Sequence, residues 1–304
     1  MSARVEAPPA AGGAPPTAPS DWSPEPTPVE KAPQGPRPPV VQFKQVTKQF
    51  RRGRSWTTAI ENVTFVVDDL PDVGEFITIL GPSGCGKSTV LRLIAGLEPH
   101  HPPTSGEVLV LGQRVTGPGA DRGMVFQDYT SYPNRTVLQN VEFGLELKEM
   151  PRAERRELAR AWVAKVGLAG HEDKYPHELS GGMRQRVAIA RSLVLKPRII
   201  LMDEPFGALD PETRYAMQEL LIGLWREAQA TVFFVTHSIP EAAYLGDRLY
   251  LMAANPGRIV EEYKLPRPDE PPLVVETRAD FREVVAVLKA KVFGRQGGDT
   301  GTAD

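Results

Sequence analysis

Beyond Val40 the apolar positions follow two periods that alternate along the chain. Short runs rich in β-branched and aromatic residues occur at 76–80, 199–202 and 232–235, and each ends in polar or glycine-rich sequence. That is the pattern of strands covered on both faces of a parallel sheet. Between them the spacing turns helical. Met217, Leu220, Leu221, Leu224, Trp225 and Ala228 share one helical face behind Asp210-Pro211, an N-cap followed by proline at the first helical position. Ser238 and Glu241 have the spacing of a capping box that opens a further helix. Strands alternating with helices predict an α/β fold with a mainly parallel sheet and ligand chemistry at the carboxyl ends of its strands.

Residues 128–178 break this alternation, with helical spacing and no strand. Val137, Leu138, Val141 and Leu145 share one face, and Leu158, Ala161, Trp162 and Val166 another, which predicts a helical subdomain inserted in the α/β core. Past Tyr263 a Pro-rich stretch (Pro266, Pro268, Pro271, Pro272) leads to one amphipathic helix with Phe281, Val284, Val285, Leu288 and Val292 inward. At the other end, twelve of the 30 prolines lie in the first 40 residues, with Trp22 as the lone aromatic. Such composition buries too little apolar surface to offset its ordering entropy. The expected organisation is a disordered Pro/Ala-rich tail over 1–39, a folded unit over 40–262, and a Pro-rich linker with a short C-terminal helix over 263–304.

Composition narrows the function classes. At 41% hydrophobic the chain has enough apolar residues for a large core. Its 36 Lys+Arg against 38 Asp+Glu leave a net charge of −2, which argues against nucleic acid as a partner. The single cysteine, Cys85, has no intrachain disulfide partner. No run approaches the roughly 18 apolar residues of a membrane-spanning helix, and no apolar leader opens the chain, so a soluble chain is expected.

The chemistry begins directly after 76–80. Gly81-Pro82-Ser83-Gly84-Cys85-Gly86-Lys87-Ser88 fits G-x-x-x-x-G-K-[ST], and Thr89 leads into a helix carrying Val90, Leu93 and Ile94. Glycines let the backbone fold around an anion so that successive N–H groups and the helix N-terminus face phosphate oxygens. In such a loop Lys87 reaches the β- and γ-phosphates and the Ser88 hydroxyl ligates Mg²⁺. The apolar run after Arg198 delivers Asp203 to the same end of the sheet, where it holds Mg²⁺ directly or through water. Glu204, one residue further into the cleft, is the candidate general base for the attacking water. These residues predict a nucleoside triphosphate hydrolase. Cys85 lies by a helix N-terminus, a setting that depresses thiol pKa values, and this predicts inactivation by thiol reagents with protection by nucleotide.

Leu179-Ser180-Gly181-Gly182-Met183, followed by Arg184-Gln185-Arg186, resembles the signature motif of ATP-binding cassette (ABC) proteins. Ser180 and the two glycines cap a helix whose N-terminus makes a second anion site; the family's usual fifth residue, Gln, is Met183 here. The resemblance extends along the chain. Gln127 resembles the Q-loop glutamine that senses Mg²⁺ and the attacking water, and Leu209-Asp210 resembles the D-loop. His237, which in isolation reads as a surface or hydrogen-bonded histidine, resembles the H-loop histidine that contacts the γ-phosphate. Phe50 resembles the aromatic that stacks on adenine, with Trp56 as its substitute, although a single aromatic there also reads as core. The resemblance covers residues 40–262. It implies a P-loop NTPase core with a mainly parallel sheet, an antiparallel β subdomain and an inserted helical subdomain. It also implies ATP and Mg²⁺ as cofactors and a head-to-tail dimer with a second ABC ATPase subunit. Each ATP then lies between residues 81–89 of one subunit and Ser180–Gly182 of the other.

Two function classes compete within the family: the energising subunit of a membrane transporter, and a soluble cassette ATPase working on DNA or ribosomes. The chain has no sustained heptads and a single cassette, which favours transport. Phe126-Gln127-Asp128-Tyr129-Thr130-Ser131-Tyr132-Pro133 resembles the surface that receives a permease's coupling helix, and local packing of Tyr129 and Tyr132 is the other reading. The segments 203–214, 236–248 and 255–259 are similar to the nitrate/sulfonate/taurine importer branch, with a lipid or lipoprotein system as the alternative. That branch implies transmembrane permease subunits, a solute-binding protein acting through the permease, and a peripheral location on the cytoplasmic face of the cell membrane.

Overall fold

In chain order the computed structural model, which describes residues 37–70, 74–128 and 131–294, contains β1 (Val41–Arg52), β2 (Ser55–Val67), β3 (Phe76–Leu80), α1 (Lys87–Ala95), β4 (Ser105–Val110), β5 (Gln113–Arg114), β6 (Arg122–Val125), α2 (Val137–Leu147), α3 (Arg152–Lys165), α4 (Gly181–Leu193), β7 (Ile199–Asp203), α5 (Pro211–Ala228), β8 (Thr231–Thr236), α6 (Ile239–Leu245), β9 (Arg248–Ala253), β10 (Arg258–Lys264), α7 (Pro272–Val275) and α8 (Ala279–Gly294). Apart from residues 37–39, the expected N-terminal tail with Trp22 lies outside the described residues, as do Tyr129 and Thr130.

Two sheets form. One has the order β10-β9-β3-β8-β7-β6, and the other is the antiparallel β2-β1-β4-β5. In the larger sheet β3 pairs in parallel with β8 and β9, and β7 pairs in parallel with β8 and β6, while β10 closes the edge antiparallel to β9. This is the α/β architecture expected for a P-loop NTPase, with its antiparallel β subdomain.

Alternation along the central strands divides the core. Ile77 and Ile79 of β3, Ile199 and Leu201 of β7, and Phe233 and Val235 of β8 face α1 and the antiparallel sheet. Their neighbours Phe76, Leu80, Ile200, Met202, Val232 and Phe234 face α4, α5 and α6. Covering both faces explains why these strands read as unbroken apolar runs. Trp225 ties α5 to this second layer: its ring meets Phe76 edge-on at 5.4 Å and its indole N–H donates to the Ala230 carbonyl at 2.8 Å. Burying such a side chain contributes on the order of 2–3 kcal/mol.

Three details differ from the periodicity reading. Ala161 is exposed, and α3 turns Ala159, Trp162 and Val163 inward; the true apolar stripe includes Ala159 and Val163. Ala228, at the last turn of α5, is exposed as well. The capping box at Ser238 is only half formed. The Ser238 hydroxyl accepts from the Glu241 N–H at 3.4 Å, but the Glu241 carboxyl turns inward to Thr236 and Gln218. The buried Thr236 hydroxyl and Gln218 amide hold the Glu241 carboxyl, and the Ser238 N–H that it would otherwise bind donates to Thr236 Oγ1 at 3.0 Å.

The C-terminal helix α8 packs Phe281, Val284, Val285 and Leu288 into the second core layer, with Val292 against its edge. No helix among the described residues is long and apolar enough to cross a membrane.

Candidate functional site

The carboxyl ends of β3, β8, β7 and β6 lie side by side in that order, and each delivers one part of the site. The loop 81–86 leaves β3 and folds back into α1, which is held between the two sheets. Gly86 is the N-cap of α1 with φ of 91°. A side chain there would meet Ile60 Cγ2 at 2.4 Å and the Ala59 carbonyl at 2.9 Å, so both the conformation and the close approach of β2 require glycine. Ser83 and Gly84 form the exposed tip, Pro82 is half-buried, and Cys85, Lys87 and Thr89 are buried.

Within this loop the Lys87 ammonium donates to the carbonyls of Gly81 at 2.9 Å and Pro82 at 3.1 Å. Its third neighbour is Oε1 of Glu204 at 3.9 Å. Ser88 Oγ donates to Asp203 Oδ1 at 2.7 Å, and Arg92 Nη2 lies 3.5 Å from Asp203 Oδ2. Burial pushes the Asp203 carboxyl above the usual carboxylate range, opposed by the Ser88 hydroxyl and Arg92.

Glu204 and His237 meet because β7 and β8 are parallel neighbours in a register that pairs Asp203 with Val235. The Glu204 N–H donates to the Val235 carbonyl at 3.0 Å, and the side chain leaves from a left-handed φ of 45°. A non-glycine residue held there carries strain of about 1–2 kcal/mol, which is commonest at functional sites. His237 Nδ1 donates to Glu204 Oε2 at 3.0 Å. Gln127, after β6, is exposed, and Gly207 brings it near Glu204: a Cβ built at Gly207 would lie 3.9 Å from Glu204 Oε2 and 4.0 Å from Gln127 Nε2.

The remaining expected residues lie elsewhere. Ser180 caps α4, its exposed hydroxyl accepting from the Met183 N–H at 3.3 Å, and Gly182 sits against Thr213 of α5. Among the described residues no hydrogen bond or ion pair links Ser180, Gly181 or Gly182 to the phosphate loop of the same chain. Asp210 caps α5 by accepting from the Thr213 N–H at 2.9 Å, and that bond holds its carboxyl below the usual range. Phe50 is half-buried, its ring edge-on to His100 at 5.1 Å with the Lys48 ammonium 5.3 Å from its centroid. Trp56 is 64% exposed. Tyr132 is 38% exposed, packed on Phe143 of α2 with the Arg191 guanidinium 5.1 Å from its centroid.

Cys85 departs from expectation. Its side chain is fully buried, and burial pushes the thiol up, outweighing the attraction of Lys87. A thiol shielded from water and reagents is neither ionised nor reachable, so the reactive cysteine expected from the helix N-terminus is not formed. Arg92 and Gly257 escaped sequence reasoning. Gly257 lies beneath the phosphate loop, where an added Cβ would come within 2.0 Å of the Cys85 carbonyl; nothing in Asn255-Pro256-Gly257 signals that approach.

Comparison with known proteins places this geometry. The chain is 52% identical over 259 residues to an uncharacterised ABC transporter ATP-binding protein of Methanocaldococcus jannaschii, covering 83% of this chain and 92% of that one. It belongs to the ABC transporter family. The family's profile, described as ABC transporter, matches residues 69–207. The nitrate import ATP-binding protein NrtD of Synechocystis sp. is 47% identical, with 76% of this chain and 85% of that protein aligned. The aliphatic sulfonates import ATP-binding protein SsuB of Bacillus cereus is 43% identical over 75% of this chain and 88% of its own length. Among solved structures, a dimeric post-hydrolysis state of the ATP-binding cassette MJ0796 bound to ADP and Pi superposes with a TM-score of 0.64 at 37% identity, covering 74% of this chain and 99% of that one. This ABC ATPase therefore lies in the nitrate/sulfonate branch.

Proposed function

We propose that this ABC ATPase energises a multi-subunit importer for a small solute of the nitrate, sulfonate or taurine type. The similarity to NrtD, a nitrate import ATP-binding protein, and to SsuB, an aliphatic sulfonates import ATP-binding protein, supports import. The observation that carries hydrolysis is Glu204, strained in backbone and set between the Lys87 ammonium and the His237 ring.

The phosphate loop, residues 81–89, binds the triphosphate through its backbone N–H groups, and Lys87 exchanges its carbonyl contacts for β- and γ-phosphate oxygens. Glu204 orients water and takes its proton. His237 holds the second carboxylate oxygen and so fixes the direction of the first. Phe50, or Trp56 in its place, stacks on adenine. The Ser88 hydroxyl and the buried Asp203 carboxyl, an all-oxygen pair already in hydrogen-bond contact, fit the preference of Mg²⁺ for hard ligands, with the Gln127 amide as the third. When bound, that ion neutralises charge on the β- and γ-phosphate oxygens.

Two copies pair head to tail, the capped N-terminus of α4 at Ser180, Gly181 and Gly182 facing the phosphate loop of the other copy, with Asp210 beside it. ATP closes the pair and hydrolysis opens it. The membrane part is a separate permease, whose cytoplasmic helix docks near Tyr132, and the solute-binding protein acts through that permease. The chain then sits peripherally on the cytoplasmic face of the membrane.

Glu204→Gln tests the assignment: ATP binding persists while single-turnover hydrolysis slows by about 10²–10⁴. Lys87→Ala weakens nucleotide binding itself. Normal turnover in the first variant, or unchanged affinity in the second, overturns the assignment. Co-purification of the native complex tests the importer, which requires a permease and a solute-binding protein in the same preparation.

A further inference from the structure

Beneath the loop that carries His237 lies a buried polar chain that the proposed mechanism leaves unused. Glu241 is 6% exposed, and Thr236 and Gln218 are 3% exposed each. The Thr236 hydroxyl donates to Glu241 Oε2, and Gln218 Nε2 donates to Glu241 Oε1 at 3.3 Å. The same Thr236 oxygen accepts from the Ser238 N–H at 3.0 Å. The Ser238 hydroxyl in turn accepts from the Glu241 N–H at 3.4 Å. Of the two residues on either side of His237, Thr236 is thus fastened to the carboxyl directly and Ser238 to it through the Thr236 oxygen, while His237 stays exposed and, among the described residues, makes its side-chain bond to Glu204.

Keeping an ionisable group here has a cost. Burial pushes the Glu241 carboxyl above its ordinary range, and a helix N-cap needs no buried acid, because the solvent-facing glutamate of an ordinary capping box performs that task. Gln218 adds reach. It stands on α5, the helix capped by Asp210, so the same carboxyl joins α5 to the turn before α6.

We infer that Glu241 is a positioning residue for hydrolysis: through Thr236 it sets the turn 236–238, and so the angle at which His237 holds Glu204. This rests on the role given to His237 above. Its effect is on the chemical step and passes wholly through the imidazole, because misplacing one reacting partner by about 1 Å slows chemistry about 10²-fold without touching the substrate's other contacts.

A double-mutant cycle tests it in the full-length protein, with single-turnover rate and ATP affinity as readouts. Glu241→Ala slows turnover about 10- to 100-fold with ATP affinity changed less than about twofold. In a His237→Ala background the same substitution slows turnover less than about twofold further, since the group it positions is already gone. Thr236→Val, nearly isosteric and lacking only the linking hydroxyl, gives the same pattern and decides the matter where Glu241→Ala does not fold. Equal losses in both backgrounds, or a loss confined to ATP affinity, overturn the inference. Normal turnover in His237→Ala alone instead overturns the role of His237, so the two failures are told apart.

Discussion

Ser88 Oγ donates a 2.7 Å hydrogen bond to Asp203 Oδ1, joining the first turn of α1 to the end of β7 across the intervening strand β8. Removing the hydroxyl leaves the Asp203 carboxyl without its shortest contact. Ser88→Ala is expected to raise the Mg²⁺ concentration for half-maximal ATPase activity at least about tenfold, while metal-free nucleotide binding changes little. An unaltered Mg²⁺ requirement in a titration of steady-state activity contradicts the proposed ligand pair.

How much of this was legible beforehand depends on range. The phosphate loop could be read because its parts are contiguous: strand, glycines, Lys87 and Ser88 occupy thirteen consecutive positions, 76–88. Asp203 and Glu204 were legible for the same local reason. The direction of the Glu241 side chain was not, since it was decided by Thr236 in another element and by Gln218 twenty-three residues earlier. Cys85 failed likewise: its position by a helix terminus is local, but its burial comes from the surrounding sheets.

Gly257 supports the phosphate loop from below, its N–H donating to the Ala59 carbonyl at 3.0 Å. Gly257→Ala places a methyl 2.0 Å from the Cys85 carbonyl and 2.7 Å from the Ala59 carbonyl, and backbone atoms on both sides leave no rotamer to relieve it. The expected cost is about 1–3 kcal/mol of stability together with weaker ATP binding. Gly223→Ala is the control. It meets nothing within 4 Å inside α5 and is expected to stabilise by about 0.5–1 kcal/mol. Chemical denaturation and nucleotide titration of both variants check the contrast.

Cys85, fully buried with its thiol pushed upward, is expected to react with a thiol reagent about 10²-fold more slowly in the native protein than in urea. Native labelling at the rate of an exposed thiol would show that the loop opens readily.

His100 supplies a pH dependence. Burial, with Arg92 and Lys48 nearby, holds its pKa down to about 4 from the ordinary 6.5. Among the described residues its buried Nδ1 has no hydrogen-bond partner. Below the ordinary value the unfolded chain takes up a proton that the folded chain refuses. Stability is therefore complete above 6.5 and declines as pH falls toward 4. His100→Gln is expected to flatten that part of the curve, measured as denaturation midpoint against pH; a parallel decline assigns it to other groups.

The place of β3 has a consequence for synthesis on the ribosome. Its neighbours are β8 and β9, with Phe76 paired to Val232 and Ile77 to Arg248. Its first N–H donates to the Asp247 carboxylate at 2.8 Å. At about 5–20 residues per second, roughly 8–30 s pass between the emergence of Phe76 and that of its first strand partner. Throughout that interval the nascent chain carries the complete phosphate-binding motif with neither strand partner of β3 to hold it, so ATP capture is a late event in the life of the polypeptide. Chains released before Thr231 should fail to retain nucleotide although every residue of the motif is present.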